Sequence, residues 1–274
     1  MRVAFQGELG AFSHAAALKF AGEDARLLPC STFEEVFEAL QNSDAQHAVI
    51  PIENTLHGSV LENYDHLVHY EFRIAGETTL RISHHLLAFG KQRLANVRRV
   101  FSHPVALNQC RNFFHRHPEI EPVAFYDTAG SVKMLKETRP EDCAAIASAI
   151  AAELYGAVIL KKNVEDNPHN FTRFFLLTKQ NSARRSLKGA SKTSIVFSTA
   201  NTPGALFRAM ACFALRDLDL TKIESRPLRE RPWEYLFYVD FKGSEADRNV
   251  QKALDNLREM ATFLKVLGSY AAIP

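Results

Sequence analysis

Met1-Arg2-Val3-Ala4-Phe5-Gln6-Gly7-Glu8-Leu9-Gly10-Ala11-Phe12-Ser13 is a short apolar run, a glycine turn and the opening of a helix that the spacing carries to Phe20. The same rhythm continues to about Lys179. Ser31 and Thr32 each stand three residues before a glutamate, Glu34 and Glu35, the capping pattern that opens a helix over Phe33–Leu40. Ala48–Ile50 reads as a buried strand stopped by Pro51, Ser59–Val68 as a helix and Arg73–Leu87 as one or two strands. Further strands are expected over Val97–Phe101, Val123–Phe125, Ala144–Ile146 and Phe171–Leu177, with helices over Val105–His115, Ser131–Glu137 and Ser148–Tyr155. Strands and helices alternating at this spacing predict an α/β fold with parallel sheets covered by helices.

The rhythm breaks at Lys179–Lys192, a polar stretch with five basic residues and one large apolar one. It cannot bury enough surface to order itself, and no aromatic residue is interleaved to stack on bases. Residues 180–192 are therefore expected to link a domain over 1–179 to one over 193–274. A length of 274 residues suits two domains. The second has a different grammar: strand Ser194–Ser198, helix Ala205–Arg216 capped by Thr202 and Pro203, strands Leu220–Glu224 and Trp233–Phe241, helix Asp247–Met260, strand Phe263–Tyr270. That βαββαβ order predicts a ferredoxin-like unit.

Composition narrows the function. The chain is 46% hydrophobic and 23% charged, an ordinary globular balance, and 33 − 31 gives a net charge of +2. Near-neutrality argues against a nucleic-acid coat. Met1–Gly7 lacks a signal-peptide pattern, and Cys143–Ala152, the longest weakly polar stretch, falls short of the ~20 residues a membrane span needs. Cys30, Cys110, Cys143 and Cys212 are widely spaced, so reduced thiols in a cytosolic protein are expected. His66 and His69 share a helix face but lack an obvious third ligand, so no metal is expected.

Chemistry is concentrated at expected strand ends, where open α/β sheets bind ligands. The Gly7–Ser13 turn is either a seat for an anion at a helix N-terminus or simply a tight turn. Asn54, Thr55 and Ser59 follow the strand that ends near Pro51, in a turn that either binds a ligand or caps the next helix. Ser102 and Gln109 follow the strand Val97–Phe101, and Asp127 and Thr128 follow Val123–Phe125, where plain helix capping is equally open. Along Phe171–Phe175, alternation sends Thr172 and Phe174 to one face, and Phe171, Arg173 and Phe175 to the other.

Gly7-x-x-Gly10-Ala11-Phe12-Ser13, Pro51-Ile52-Glu53-Asn54-Thr55, Ser102-His103-Pro104 with Gln109, and Asn170-Phe171-Thr172-Arg173-Phe174 follow one another as they do in prephenate dehydratases. Gly204-Ala205-Leu206-Phe207 and Glu224-Ser225-Arg226-Pro227 resemble the two phenylalanine-binding motifs of that family's regulatory ACT domain. The resemblance covers nearly the whole chain, and departs where Ala11 stands in place of the threonine of many members. It implies a two-lobed catalytic domain like the type-2 periplasmic binding proteins, followed by an ACT domain, and a lyase that converts prephenate to phenylpyruvate. It implies Thr172 as the catalytic threonine, with Asn54, Ser102, Gln109 and Arg173 beside it. Gly7, Ser13, Thr55, Asp127 and Thr128 are the implied substrate contacts. Asn201, Gly204, Ala205, Leu206, Phe207, Glu224 and Ser225 are the implied site for L-phenylalanine as allosteric effector. No metal or organic cofactor is implied, and the chain is expected to form a homodimer or homotetramer. An arogenate dehydratase and a non-catalytic amino-acid sensor are the alternatives.

Overall fold

The computed structural model describes residues 1–179, 189–228 and 234–271. Val3, Ala4 and Phe5 are fully buried, and their apolar run becomes the strand Arg2–Gln6. Arg26–Cys30 and His47–Asn54 flank it in parallel. The sheet runs Arg26–Cys30, Arg2–Gln6, His47–Asn54, Phe171–Lys179, Phe72–Arg81, and the short Gly58–Ser59 folds back antiparallel on His47–Asn54. A second sheet runs Val158–Lys161, His85–Ala88, Cys143–Ala147, Arg99–Ser102, Glu121–Ala124. Here Arg99–Ser102 is parallel to both neighbours, whereas His85–Ala88 is antiparallel to both of its own. The expected α/β alternation holds, with one strand of the second sheet reversed.

The departures have local causes. Arg26–Cys30 and Val158–Lys161 give no strand signal in the sequence; both are edge strands, and the first carries Pro29, which only an edge tolerates readily. Pro51 does not stop its strand, which runs on to Asn54. Pairing with Arg2–Gln6 ends at Val49, so the missing N–H costs no rung of that ladder. The helix expected over Ser59–Val68 begins at Leu61. The helix expected over Val105–His115 is two, Pro104–Asn108 and Arg111–Arg116, broken at Gln109 and Cys110. Asp166 fixes the break: its carboxylate accepts from the N–H groups of Arg111 and Asn112, and its own N–H donates to the Gln109 carbonyl.

Lys192–Thr199, Ala205–Ala214, Leu220–Pro227, Tyr235–Lys242, Arg248–Met260 and Ala261–Tyr270 follow in βαββαβ order. Their antiparallel sheet runs Leu220–Pro227, Tyr235–Lys242, Lys192–Thr199, Ala261–Tyr270, the ferredoxin-like arrangement. Ile195, Phe197 and Phe241 pack with Phe213, Val250, Leu254 and Leu257 of the two helices. The helix from Ala205 is capped by Gly204 at φ 76°, not by Thr202 and Pro203. Lys192 already belongs to a strand, so the expected linker stops short of it. Residues 180–188 of that linker and Trp233 lie outside the described residues.

The chain packs as two compact units, Met1–Asn63 with Thr78–Phe174, and Tyr64–Glu77 with the residues from Phe175 on. Tyr64–Glu77, expected in the first domain, groups with the C-terminal residues because its polar groups are satisfied there. Asp65 pairs with Arg226, Glu77 with Lys192 at 3.1 Å and Glu71 with Lys265 at 2.9 Å. Among the described residues no helix is long and apolar enough to cross a membrane.

Candidate active site

A cavity of about 600 Å³ lies within the N-terminal unit and is lined from both of its sheets. Gln6, Asn54, Thr172 and Phe174 come from strands of the first; His84, His103, Gln109, Asp127 and Thr128 come from the second sheet's connections. Thr172 and Phe174 line it while Arg173 does not, as strand alternation requires. A second cavity of about 520 Å³, around Phe89, Arg139 and Asp142, holds none of the expected residues.

Thr172 is 8% exposed, and its hydroxyl has a fixed polarity. The Asn54 carbonyl oxygen accepts from the backbone N–H groups of Leu56 and His57, both at 3.0 Å. That anchors the amide, so its Nδ2 must face Asn170 Oδ1 at 2.7 Å, the Phe171 carbonyl at 3.1 Å and Thr172 Oγ1 at 2.9 Å. Nδ2 can only donate; Thr172 Oγ1 therefore accepts, and its own hydrogen remains for another acceptor. Thr55 stitches this turn to the same strand: its hydroxyl donates to the His169 carbonyl at 2.9 Å and accepts from Phe171 N–H at 3.0 Å.

Gln109 sits at the helix break, and its amide lies between two histidines. Oε1 is 2.8 Å from His84 Nε2, and Nε2 is 3.2 Å from His57 Nδ1. His84 is 2% exposed, and burial lowers its pKa, against smaller opposing effects from the Gln109 contact and the Glu165 charge. Asp127 caps the helix Thr128–Thr138, accepting from Gly130 N–H at 2.8 Å. Burial is the largest influence on its carboxyl and raises its pKa. No lysine or arginine is among the described residues lining this cavity.

The structure brings Asn54, Gln109, Thr172, Ser13, Asp127 and Thr128 to one cavity and leaves four expected residues off it. Ser102 is fully buried, and its hydroxyl donates at 2.6 Å to the Ile146 carbonyl of the neighbouring chain segment, which occupies it inside the sheet. Arg173 points away from the cavity and lies 3.6 Å from Glu53. Thr55 is spent on the turn. Gly7 takes φ 108°, and a Cβ there would sit 3.1 Å from Asp127 Oδ2, so glycine is needed for close approach. Within the turn the Gly7, Gly10 and Ala11 N–H groups go to the Cys30 carbonyl, His14 Nδ1 and the Glu8 carbonyl, so a seat for an anion here has only the N–H groups of the helix's first turn, from Phe12 on, to offer.

His57, His84, His103, Tyr126 and Phe174 also line the cavity; Phe174 was legible from its alternation with Thr172, whereas His57, His84 and Tyr126 carried no signal beyond their types. For His103 the hint was its adjacency to Ser102 in Ser102-His103-Pro104. Tyr126 donates to Glu8 Oε1 at 2.9 Å, and Lys133 meets Glu8 Oε2 at 3.1 Å, so the glycine turn is tied across the cavity rim.

In the C-terminal unit a cavity of about 190 Å³ is lined by Asn201, Gly204, Ala205, Leu206 and Phe207, with Tyr235 and Phe237 opposite. Glu224 and Ser225 do not line it: Glu224 lies 3.4 Å from Lys222, and Ser225 alternates to the exposed face of its strand.

Comparison with known proteins gives a consistent result. The Prephenate dehydratase family matches residues 3–182. A chloroplastic arogenate dehydratase/prephenate dehydratase 2 of Arabidopsis thaliana is 45% identical, over 98% of this chain and 72% of the relative. Among solved structures, the prephenate dehydratase of Arthrobacter aurescens in complex with L-Phe is 32% identical with a TM-score of 0.89, covering 99% of this chain and 90% of that one. GqqA, described as a novel type of quorum quenching acylase, is 34% identical with a TM-score of 0.91, covering 100% of this chain and 99% of that one.

Proposed function

We propose that this chain, which belongs to the prephenate dehydratase family, converts prephenate to phenylpyruvate with loss of carbon dioxide and water. Family membership makes it a dehydratase of aromatic amino acid biosynthesis; the choice of substrate and the roles of residues are the proposal. A similar structure described as an acylase is a reminder that fold alone does not set chemistry. The reading therefore rests on one observation, the polarity of the Thr172 hydroxyl.

Prephenate carries two carboxylates and a ring hydroxyl. As the ring carboxylate leaves as carbon dioxide, the electrons of its carbon–carbon bond enter the ring, and the carbon–oxygen bond opposite breaks. The departing oxygen needs a hydrogen-bond donor. Thr172, already accepting from Asn54 at 2.9 Å, has its hydrogen available for that oxygen, which leaves as water once a proton reaches it. A threonine is a weak acid, so its contribution is hydrogen bonding more than complete proton transfer. Such help is worth about 10²–10⁴-fold. Aromatisation supplies the driving force, and Thr172, fixed by Asn54, together with the Gln109 amide supplies orientation before substrate arrives. With no lysine or arginine among the described residues lining the cavity, the substrate's charge is met by neutral donors and by the first helical turns at Ser13 and Phe33.

A second reading has its own observation. Glu62 and Asp127 line the cavity, and a carboxylate suits the ammonium of arogenate better than the keto group of prephenate. Incubating the chain with each substrate in parallel, and following phenylpyruvate absorbance and phenylalanine, separates the two. Turnover of neither overturns both and leaves the sensor reading.

L-Phenylalanine is the proposed effector, seated where Gly204 opens a helix above Leu206 and Phe207, with the helix N-terminus toward its carboxylate. The ferredoxin-like unit is read as an ACT domain, in a homodimer or homotetramer. The solved relative holding L-Phe supports this, as does the exposed edge strand Leu220–Pro227.

A further inference from the structure

We propose that His84 is a positioning residue that fixes which end of the Gln109 amide faces the substrate, an inference that rests on the dehydratase reading of this cavity. The Gln109 amide has two orientations, and only one offers hydrogens toward the cavity. His84 Nε2, 2.8 Å from Oε1, selects between them by its tautomer. With the proton on Nε2 it donates to Oε1, and the amide NH2 turns to His57 Nδ1 at 3.2 Å. With the proton on Nδ1, a bare Nε2 would instead accept from the NH2, and the amide carbonyl would face His57.

The surroundings decide the tautomer. His84 Nδ1 is buried and has no hydrogen-bond partner among the described residues. Buried N–H groups left without an acceptor are rarer in folded proteins than buried acceptors left without a donor, so a bare nitrogen there is the better tolerated state. The proton therefore belongs on Nε2. The ring is held in place by Phe12, edge-on at 5.6 Å, and by Glu165, whose carboxylate accepts the His84 backbone N–H at 3.0 Å. Burial disfavours the imidazolium, so the ring stays neutral and keeps one defined donor. The Gln109 NH2 then faces His57 Nδ1, which also lies 3.2 Å from Asn54 Oδ1, and at least one of its hydrogens has no acceptor among the described residues. In a cavity with no lysine or arginine among its described lining residues, that hydrogen is a donor for a substrate carboxylate. A flipped amide would present its carbonyl to the same carboxylate and repel it.

The test is a double-mutant cycle with the wild-type chain as reference. His84→Leu is expected to lower kcat/KM by about tenfold, the effect of one hydrogen bond, mostly through KM because a carboxylate is bound before and during reaction. His84→Gln, which places an amide N–H near the lost Nε2–H, is expected to restore most of it. In a Gln109→Leu background, His84→Leu should cost nothing further. Equal losses in both backgrounds overturn the proposal, as does His84→Leu turning over like wild type. Nitrogen-15 spectra of the wild-type histidines test the same point independently of activity and of how the variants fold. An Nε2–H signal for His84 supports the proposal; an Nδ1–H signal overturns it. Wild type inactive on both prephenate and arogenate would instead overturn the dehydratase reading, with the tautomer still readable.

Discussion

In the N-terminal unit, the polar side chains around the cavity of about 600 Å³ hold one another before any ligand arrives. Asn54 fixes Thr172, His84 faces Gln109, and Gly130 N–H fixes Asp127. In the C-terminal unit, the cavity of about 190 Å³ is walled by Leu206, Phe207, Tyr235 and Phe237 around a glycine-capped helix start, and Phe207 is 77% exposed. The two suit different tasks. Lowering a barrier requires donors whose orientation is set in advance. Sensing requires surface whose environment changes when the ligand binds, since only a difference in affinity between states shifts them. The described lining of the first cavity is mostly polar and already hydrogen-bonded; that of the second includes exposed apolar surface at Leu206 and Phe207.

Four experiments break or sharpen this contrast, from the largest expected effect downward. Asn54→Asp keeps the shape but replaces a donor by an acceptor, so Thr172 would have to turn its hydrogen toward residue 54. Turnover should fall about 10²–10³-fold with the fold retained by circular dichroism; a loss under about threefold would mean that the polarity of Thr172 is not set by Asn54. Gly10→Ala forces a Cβ to 3.0 Å from Ala151 Cα at φ 96°, and should cost about 1–3 kcal/mol in urea unfolding. An unchanged midpoint would show that the glycine turn is loosely held. L-Phenylalanine at about ten times its dissociation constant should add about 1.4 kcal/mol to stability, and Leu206→Asp should reduce that gain. No shift at any concentration removes the effector site. The smallest effect is acid sensitivity. Burial lowers the pKa values of His14, His47, His84 and His85, so the unfolded chain binds more protons than the folded one below their ordinary value of 6.5. Stability is thus present above that pH and is lost as pH falls, and the thermal midpoint should drop between about pH 7.5 and about pH 5.5. A midpoint that rose over the same range would contradict the burial of these rings.

Sequence legibility followed the same divide. The helix cap at Thr32, the helix from about Ser148 to Tyr155 and the strand around Thr172 were readable because each depends on neighbours in the chain. Edge strands such as Arg26–Cys30 were not, since their pairing supplies what their composition lacks. The break at Gln109 was invisible for a similar reason: Asp166, far along the chain, creates it. Ser102 shows the converse. A hydroxyl at a strand end looks available in sequence, yet the Ile146 carbonyl lies 2.6 Å away and takes it. Local patterns place backbone; long-range hydrogen bonds decide which side chains are free to act.

Single-turnover formation of phenylpyruvate from prephenate, by wild type, Thr172→Ser and Thr172→Val side by side, probes that freedom most directly. Serine retains the hydroxyl and should stay within about tenfold of wild type, whereas valine, of similar shape but without the oxygen, should lose about 10²–10⁴-fold. A valine variant that reacts as fast as the serine variant would contradict the account, because no donor at residue 172 would then be helping the oxygen to leave.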